Sequence, residues 1–205
     1  MIKSPYEIEL IRESCRIVAE VLRMLEQVIQ PGMKTRELDR LAEEFIRAQG
    51  AEPAFKGYGF NKQNKFPASI CTSVDEQVVH GIPGYYSLSE GEIISIDVGV
   101  KKNGYFGDGA WTYRVGRISD EKMRLMQITE ESLYKGIEQA KMDNRVRDIS
   151  EAIQSYVECH GYSVVRELVG HGVGRQLHEK PNIPNFTEKS PTQKLLPGMT
   201  IAIEP

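Results

Sequence analysis

Four residues stand where they could do chemistry together: Asp97 in IISIDVGV, Asp108 in YFGDGAW, His171 in VGHGVG and Glu204 in MTIAIEP. Strands are poor in acids, so two aspartates in β-type runs need a reason. Along IISIDVGV the side chains alternate, which puts Ser95 and Gly99 on the face of Asp97 and Ile96 on the other. Small neighbours leave room beside that carboxylate. Asp108 lies between Gly107 and Gly109 and His171 between Gly170 and Gly172, so backbone or ligand can approach both closely. Several acids and an imidazole converging in one sheet would repel or desolvate one another unless a cation sat among them. Such an O/N set suits Mn, Fe, Co or Zn. Two adjacent ions bridged by carboxylate would activate water and clamp a tetrahedral intermediate. Taken singly, each residue also has a plainer reading. A strand Asp before Gly suits a turn or an edge, His171 suits a loop or cap, and Glu204 suits a solvated position.

Two further histidines could join. His80 in VVHGIPG enters a Gly-Pro turn, and His178 follows His171 by seven residues in HGVGRQLHEKP. Either could steady its own turn, or donate to a substrate carbonyl or oxyanion near neutral pH. Cys71 in SICTSV reads as a small buried hydrophobe that could line a pocket, with nothing near it in sequence to activate it. The glycines at 170, 172 and 174 lack the lysine and the strand-to-helix setting of a phosphate loop.

The elements that must position these residues can be read from the chain as a whole. At 205 residues it can bury about 70% of its unfolded surface. Its apolar fraction of 40% and charged fraction of 27% are those of a globular domain. There is no membrane-spanning run. The net charge of −3 argues against a protein held mainly by nucleic-acid phosphates. Cys15, Cys71 and Cys159 are odd in number and form no framework, and MIKSPYEIEL has no signal core, so a reducing, cytoplasmic setting is expected.

Ser4-Pro5-Tyr6-Glu7 opens a helix with a capping box, continued by Ile8, Ile11, Cys15, Val18, Leu22 and Leu25 and stopped at Pro31-Gly32. A second helix starts at Thr35 and ends at Gly50. Strand-type runs follow: ASICTSV, QVVHGI, EIISIDVGV and YFGDGAWTYRV. Helices are expected again over 119–142 and 146–160, then strands at SVVRELV and MTIAIE. Helix, helix, strands thus occurs twice. Thr35 to Gly50 aligns with Val146 to Gly161 at an offset of 111, and Gly91–Asp97 aligns with Gly198–Glu204 at an offset of 107. An internal duplication follows, with Asp97 and Glu204 at equivalent points on matching strands. The partner of the Asp108 strand would then lie beyond residue 205.

In order and spacing, VDEQVVHGIPG, SIDVGV, YFGDGAWTY, VGHGVGRQLHEKPNIPNF and LPGMTIAIEP resemble the motifs of type I methionine aminopeptidases in their short bacterial form. The resemblance covers essentially the whole chain. It implies an α+β fold, the pita-bread arrangement, as a single catalytic domain over 1–205. That fold has internal pseudo-two-fold symmetry and an antiparallel-rich sheet covered by helices. It also implies metal-dependent removal of the initiator methionine from nascent polypeptides by a metal-activated hydroxide. Two divalent ions (Co, Mn, Fe or Zn) would be held by Asp97, Asp108, His171 and Glu204, with Asp108 bridging and Glu204 also shuttling protons. His80 and His178 would contact the substrate and steady the transition state, and Cys71 and Phe66 would stand near the methionine pocket. The implied substrates are N-termini carrying Met before a small residue, met on or near the ribosome, with neither nucleic acid nor membrane as partner.

Some features depart from the family. Its second bridging glutamate and the hairpin carrying it would follow Glu204, so the chain is expected to be C-terminally truncated, with its last strands missing. The run 61–65 looks longer than usual, and Val98-Gly99 and Gly109 replace more common neighbours of the two aspartates. The rival enzymes are prolidase and aminopeptidase P, which carry a large extra N-terminal domain. The rival class is a truncated, weak or inactive module that only binds peptides or proteins.

Overall fold

Asn103 and Gly104 both have positive φ, 51° and 81°, and so turn the chain between β3 (Ile93–Lys102) and β4 (Tyr105–Arg114). An Asn-Gly pair in this conformation matches the twist of the strands that it joins. The hairpin is the spine of the first of two compact units, residues 9–120 and residues 1–8 with 121–205. The structure, a computed structural model, describes residues 2–59, 65–188 and 190–205. Of the run 61–65 only Lys65 is among the described residues.

In residues 9–120, β1 (Glu52–Pro53) and β2 (Ile70–Val74) pair with β3 along one edge and β4 pairs along the other, all antiparallel. Ile94, Ile96, Val98 and Val100 alternate onto one face and are fully buried. They pack on Ile17, Val18, Val21 and Leu25 of α1 (Pro5–Glu26) and on Leu38, Ala42 and Ile46 of α2 (Thr35–Ala48). A period-two strand thus meets two period-3.6 stripes. The capping box of α1 is formed, with Ser4 N–H on Glu7 Oε2 at 2.9 Å and Glu7 N–H on Ser4 Oγ at 3.3 Å. Thr35 opens α2 as expected, and its hydroxyl accepts the Gly84 N–H at 2.9 Å.

Gly107 is where α1 presses on the sheet. A Cβ there would lie 2.5 Å from Cys15 N and 2.6 Å from the Ser14 carbonyl carbon. Backbone cannot swing aside as a side chain can. Gly107→Ala is expected to destabilise the fold by about 1–3 kcal/mol, lowering Tm by a few degrees in a thermal melt. An unchanged Tm would mean that α1 yields here.

In the other unit, α3 (Asp120–Glu138) and α4 (Val146–Cys159) are followed by a two-stranded ribbon of β5 (Gly170–Gly172) and β6 (Glu179–Ile183). Val146, Ile149, Ile153 and Val157 of α4 are buried with Ile183 and Leu195. The chain leaves α4 through Gly161 at φ 85°, as its sequence predicts.

Several expectations are corrected. QVVHGI is not a strand: Val78, Val79 and Ile82 are 58%, 41% and 61% exposed. Asp75 turns the chain out of β2 at φ 48°, so the β-branched pair has no sheet face to cover. SVVRELV is also irregular, and ordered pairing begins only at Gly170. MTIAIE makes single bridges, Met199 with Ile2 and Ile201 with Gly172, rather than a ladder, because its neighbour β5 is only three residues long. Asp97 therefore sits in mid-strand while Glu204 lies in irregular backbone, not at an equivalent point on a matching strand. Among the described residues no helix is long and apolar enough to cross a membrane.

Candidate metal centre

Two groups of candidate residues take shape, one in each unit. In the sheet, Asp97 stands opposite Cys71 on one side and Ala110 on the other, and Gly99 stands opposite Asp108. Facing residues share a side, so Asp97, Asp108 and Cys71 project from one face, away from the aliphatic core. Asp97 and Asp108 are diagonal neighbours, a relation that puts residues about 7–8 Å apart with their Cβ atoms somewhat nearer, close enough for two carboxylates to share a cation. Ser95 and Thr112 continue this face, their hydroxyls 2.7 Å apart.

The room expected beside Asp97 is real but furnished. A Cβ on Gly99 would lie 2.6 Å from Phe55 Cε1 and 3.0 Å from Ala54 Cβ, so the glycine admits an aromatic ring. Phe55 meets Phe66 edge to face with centroids 6.5 Å apart. Phe66 is held in turn by its N–H on the Tyr58 carbonyl and its own carbonyl under Gly57 N–H, both 2.8 Å. Burial, then the charge of Asp108, pushes the Tyr58 phenol up. Burial, then the charges of Asp97, Asp108 and Asp39, pushes the Cys71 thiol well up. Cys71 is thus a small buried residue, as its sequence predicts, with its thiol kept neutral by that burial.

In the second unit His171 is buried on β5, and its Nδ1 lies 2.8 Å from the Gly172 carbonyl oxygen. That oxygen can only accept, so Nδ1 carries a hydrogen and Nε2 is the nitrogen turned away from the backbone. Nε2 lies 3.4 Å from Glu204 Oε1. Two acceptors at this range repel unless a proton or a cation joins them. The donor set, imidazole nitrogen and carboxylate oxygen, fits a borderline divalent ion. His178 stands with its ring 4.3 Å from that of His171, exposed at the rim. His171, His178, Gln176 and Asn182 line a cleft of about 430 Å³.

Glycines 170, 172 and 174 serve close packing. A Cβ on them would lie 2.4 Å from Ala202 O, 2.5 Å from Lys180 O and 2.5 Å from Lys3 Cε. Next to His178, Glu179 pairs with the buried Lys3 at 2.8 Å. Burial raises the Glu179 carboxyl, but the Lys3 hydrogen bond, the Gln176 and Arg175 amides and the Lys3 charge together outweigh it and the net shift is down.

His80 is exposed at φ 58°. Its neighbour Gly81 is fixed against β2 by its carbonyl under Thr72 N–H at 2.8 Å and its N–H on Ser73 Oγ at 3.1 Å. The turn therefore presents His80 from a rigid base.

Sequence reasoning missed Phe55, Tyr58 and Asn185. The aromatic-glycine run FKGYGF was a signal for the first two. Asn185 is buried and donates its Nδ2–H to the Glu204 carbonyl at 2.6 Å. No local pattern announces that bond.

The chain matches the model of metallopeptidase family M24 over residues 9–205. It is 55% identical over 203 residues to methionine aminopeptidase 1 of Bacillus subtilis, covering 99% of this chain and 80% of that one. Solved methionine aminopeptidases from Rickettsia prowazekii and Thermotoga maritima superpose with TM-scores of 0.94, at 37% and 41% identity. Each match covers 99% of this chain and 80% of theirs. The α+β architecture is thus that of the pita-bread peptidases, a metallopeptidase fold that implies a divalent metal. The chain belongs to the methionine aminopeptidases of metallopeptidase family M24.

Proposed function

We propose that this protein removes the N-terminal methionine from newly made polypeptides in the cytoplasm. In this reading residues 1–205 act as one catalytic domain, and Asp97, Asp108, His171 and Glu204 hold two divalent ions. The observation that supports it most is His171 Nε2 facing Glu204 Oε1 at 3.4 Å, a nitrogen and a carboxylate oxygen that a proton or a divalent cation would join and whose chemistry fits the cation. When bound, divalent ions supply Lewis acidity toward the first peptide carbonyl and lower the pKa of water. The chain's own groups do the rest. Asp108, diagonal to Asp97, offers two oxygens for bridging. Glu204 carries a proton on its carboxylate from the attacking water to the leaving amine. His178 and His80 donate N–H to the carbonyl oxygen as charge develops there. Cys71 and Phe66 wall an apolar, sulfur-tolerant pocket for the methionine side chain, and a cramped neighbouring position favours a small second residue.

The pseudo-two-fold reading belongs here too. It is supported by α2 and α4, each of 14 residues, offset by 111, and each followed by a glycine of positive φ, Gly50 and Gly161.

Release of free methionine from Met-Ala-Ser, measured with Mn(II) or Co(II) and again with chelator, tests the reading. Turnover that the chelator abolishes is expected. A folded chain that neither takes up metal nor releases methionine would be a binding module, and the proposal would fail.

A further inference from the structure

We propose that Asp39 and Glu43, one turn apart on α2, are positioning residues that set selectivity for the methionine side chain. The inference rests on the reading of Cys71 and Phe66 as walls of that pocket. Asp39 Oδ1 accepts both the Ser69 N–H at 2.7 Å and the Ile70 N–H at 3.1 Å. Glu43 Oε2 accepts the Ser69 hydroxyl at 3.0 Å and the Lys56 ammonium at 2.6 Å. Residues four apart share a helix face, so the two acids act as one clamp. It holds the chain at Lys56 and again at Ser69 and Ile70. Lys56 adjoins Phe55, whose ring carries Phe66, and Ile70 adjoins Cys71.

The clamp is anchored on a stiff element. Leu38, Ala42 and Ile46 seat α2 in the core with no exposure. Glu43 stays ionised throughout the working range, since the Lys56 hydrogen bond, outweighing burial, holds its carboxyl at about 2. Ser69 is fully buried and precedes the ladder, which starts at Ile70 opposite Val98. Its N–H therefore finds in Asp39 what the sheet does not give it. Buried N–H groups need such an acceptor. Removing the carboxylate leaves two amides to seek partners by shifting Ser69 and Ile70. A shift of an ångström in a pocket wall is enough to change selectivity by tenfold or more.

The test uses the Mn(II)-loaded chain and two readouts. Hydrogen exchange follows the Ser69 and Ile70 amides. Calorimetry gives the affinity ratio of L-methionine to L-alanine. Asp39→Ala is expected to speed exchange at these two amides at least tenfold and to lower the ratio about tenfold. Asp39→Asn should restore both, because its Oδ1 still accepts. Should Asp39→Ala fail to fold, Glu43→Ala, which frees the Ser69 hydroxyl and the Lys56 ammonium, is read by the affinity ratio alone and is expected to lower it.

Amides that lose protection with an unchanged ratio, or equal losses of affinity for both amino acids, would reduce the clamp to a purely structural role and overturn the proposal. Cys71→Ala and Phe66→Ala separate the two ideas. If they shift the ratio and Asp39→Ala does not, the clamp fails alone. If neither shifts it, or the unmodified chain binds both amino acids equally, the pocket reading fails and takes the clamp with it.

Discussion

Asp108→Asn is expected to lower metal-dependent turnover of Met-Ala-Ser on the order of 10³-fold, the loss of several kcal/mol of Lewis-acid stabilisation. Asn keeps the shape of Asp and one acceptor oxygen. It loses the charge and the second anionic oxygen, which the proposed bridge between two cations would need. The backbone should not notice. Asp108 sits in a continuous ladder with β3, its side chain on the face away from the aliphatic core. Its like-charged neighbour on this face is the diagonal Asp97, so neutralising Asp108 removes a repulsion between two carboxylates. Tm should therefore hold or rise while turnover and metal content fall. That combination distinguishes a ligand from a prop. The measurements are kcat/KM at saturating Mn(II), metal content by mass spectrometry and a thermal melt. Undiminished turnover would remove Asp108 from the centre.

What was legible in the sequence was whatever local periodicity decides. The alternation of IISIDVGV fixed which residues of β3 face the core, and so placed Asp97 with Ser95 and Gly99 correctly. The capping box at Ser4 and the glycines at 50 and 161 marked helix ends for local steric reasons. Failures came where partners decide. Val78-Val79 has the β-branched character of a strand, yet a strand needs a neighbour, and the turn at Asp75 carries it away from one. EKPNI, with two charges and a proline, is not among the expected strands, yet it pairs with β5. A two-stranded ribbon has an open edge on which proline is tolerated.

The site divides along the same line. The residue types were visible, but the orientation of the His171 ring comes from the Gly172 carbonyl, and the seat of Glu204 from Asn185, 19 residues away. The grip of Asp39 on Ser69 and Ile70 spans 30 residues or more and follows no motif. Contacts of this kind leave no periodic trace, because either partner can be replaced by other donors or acceptors.

His178→Ala should lower kcat on the order of 10²-fold with KM changed only a few-fold, as for removal of a single oxyanion donor. The position argues for a role in the transition state. His178 is exposed at the mouth of the cleft, its ring edge against His171, whereas His171 is buried with Nδ1 committed to backbone. A rim imidazole can follow charge as it builds on a carbonyl oxygen, and near neutral pH it is able to donate. A competing role is to brace His171. Bracing would appear in metal content, because a loosened ligand costs metal affinity, commonly 10–100-fold for an outer contact. His178→Ala with full metal content and a lowered kcat supports transition-state donation, and His178→Gln, which retains an N–H, should recover part of the loss. A variant that loses metal at unchanged kcat per bound ion would make His178 a brace. A change confined to KM would place it in ground-state binding instead.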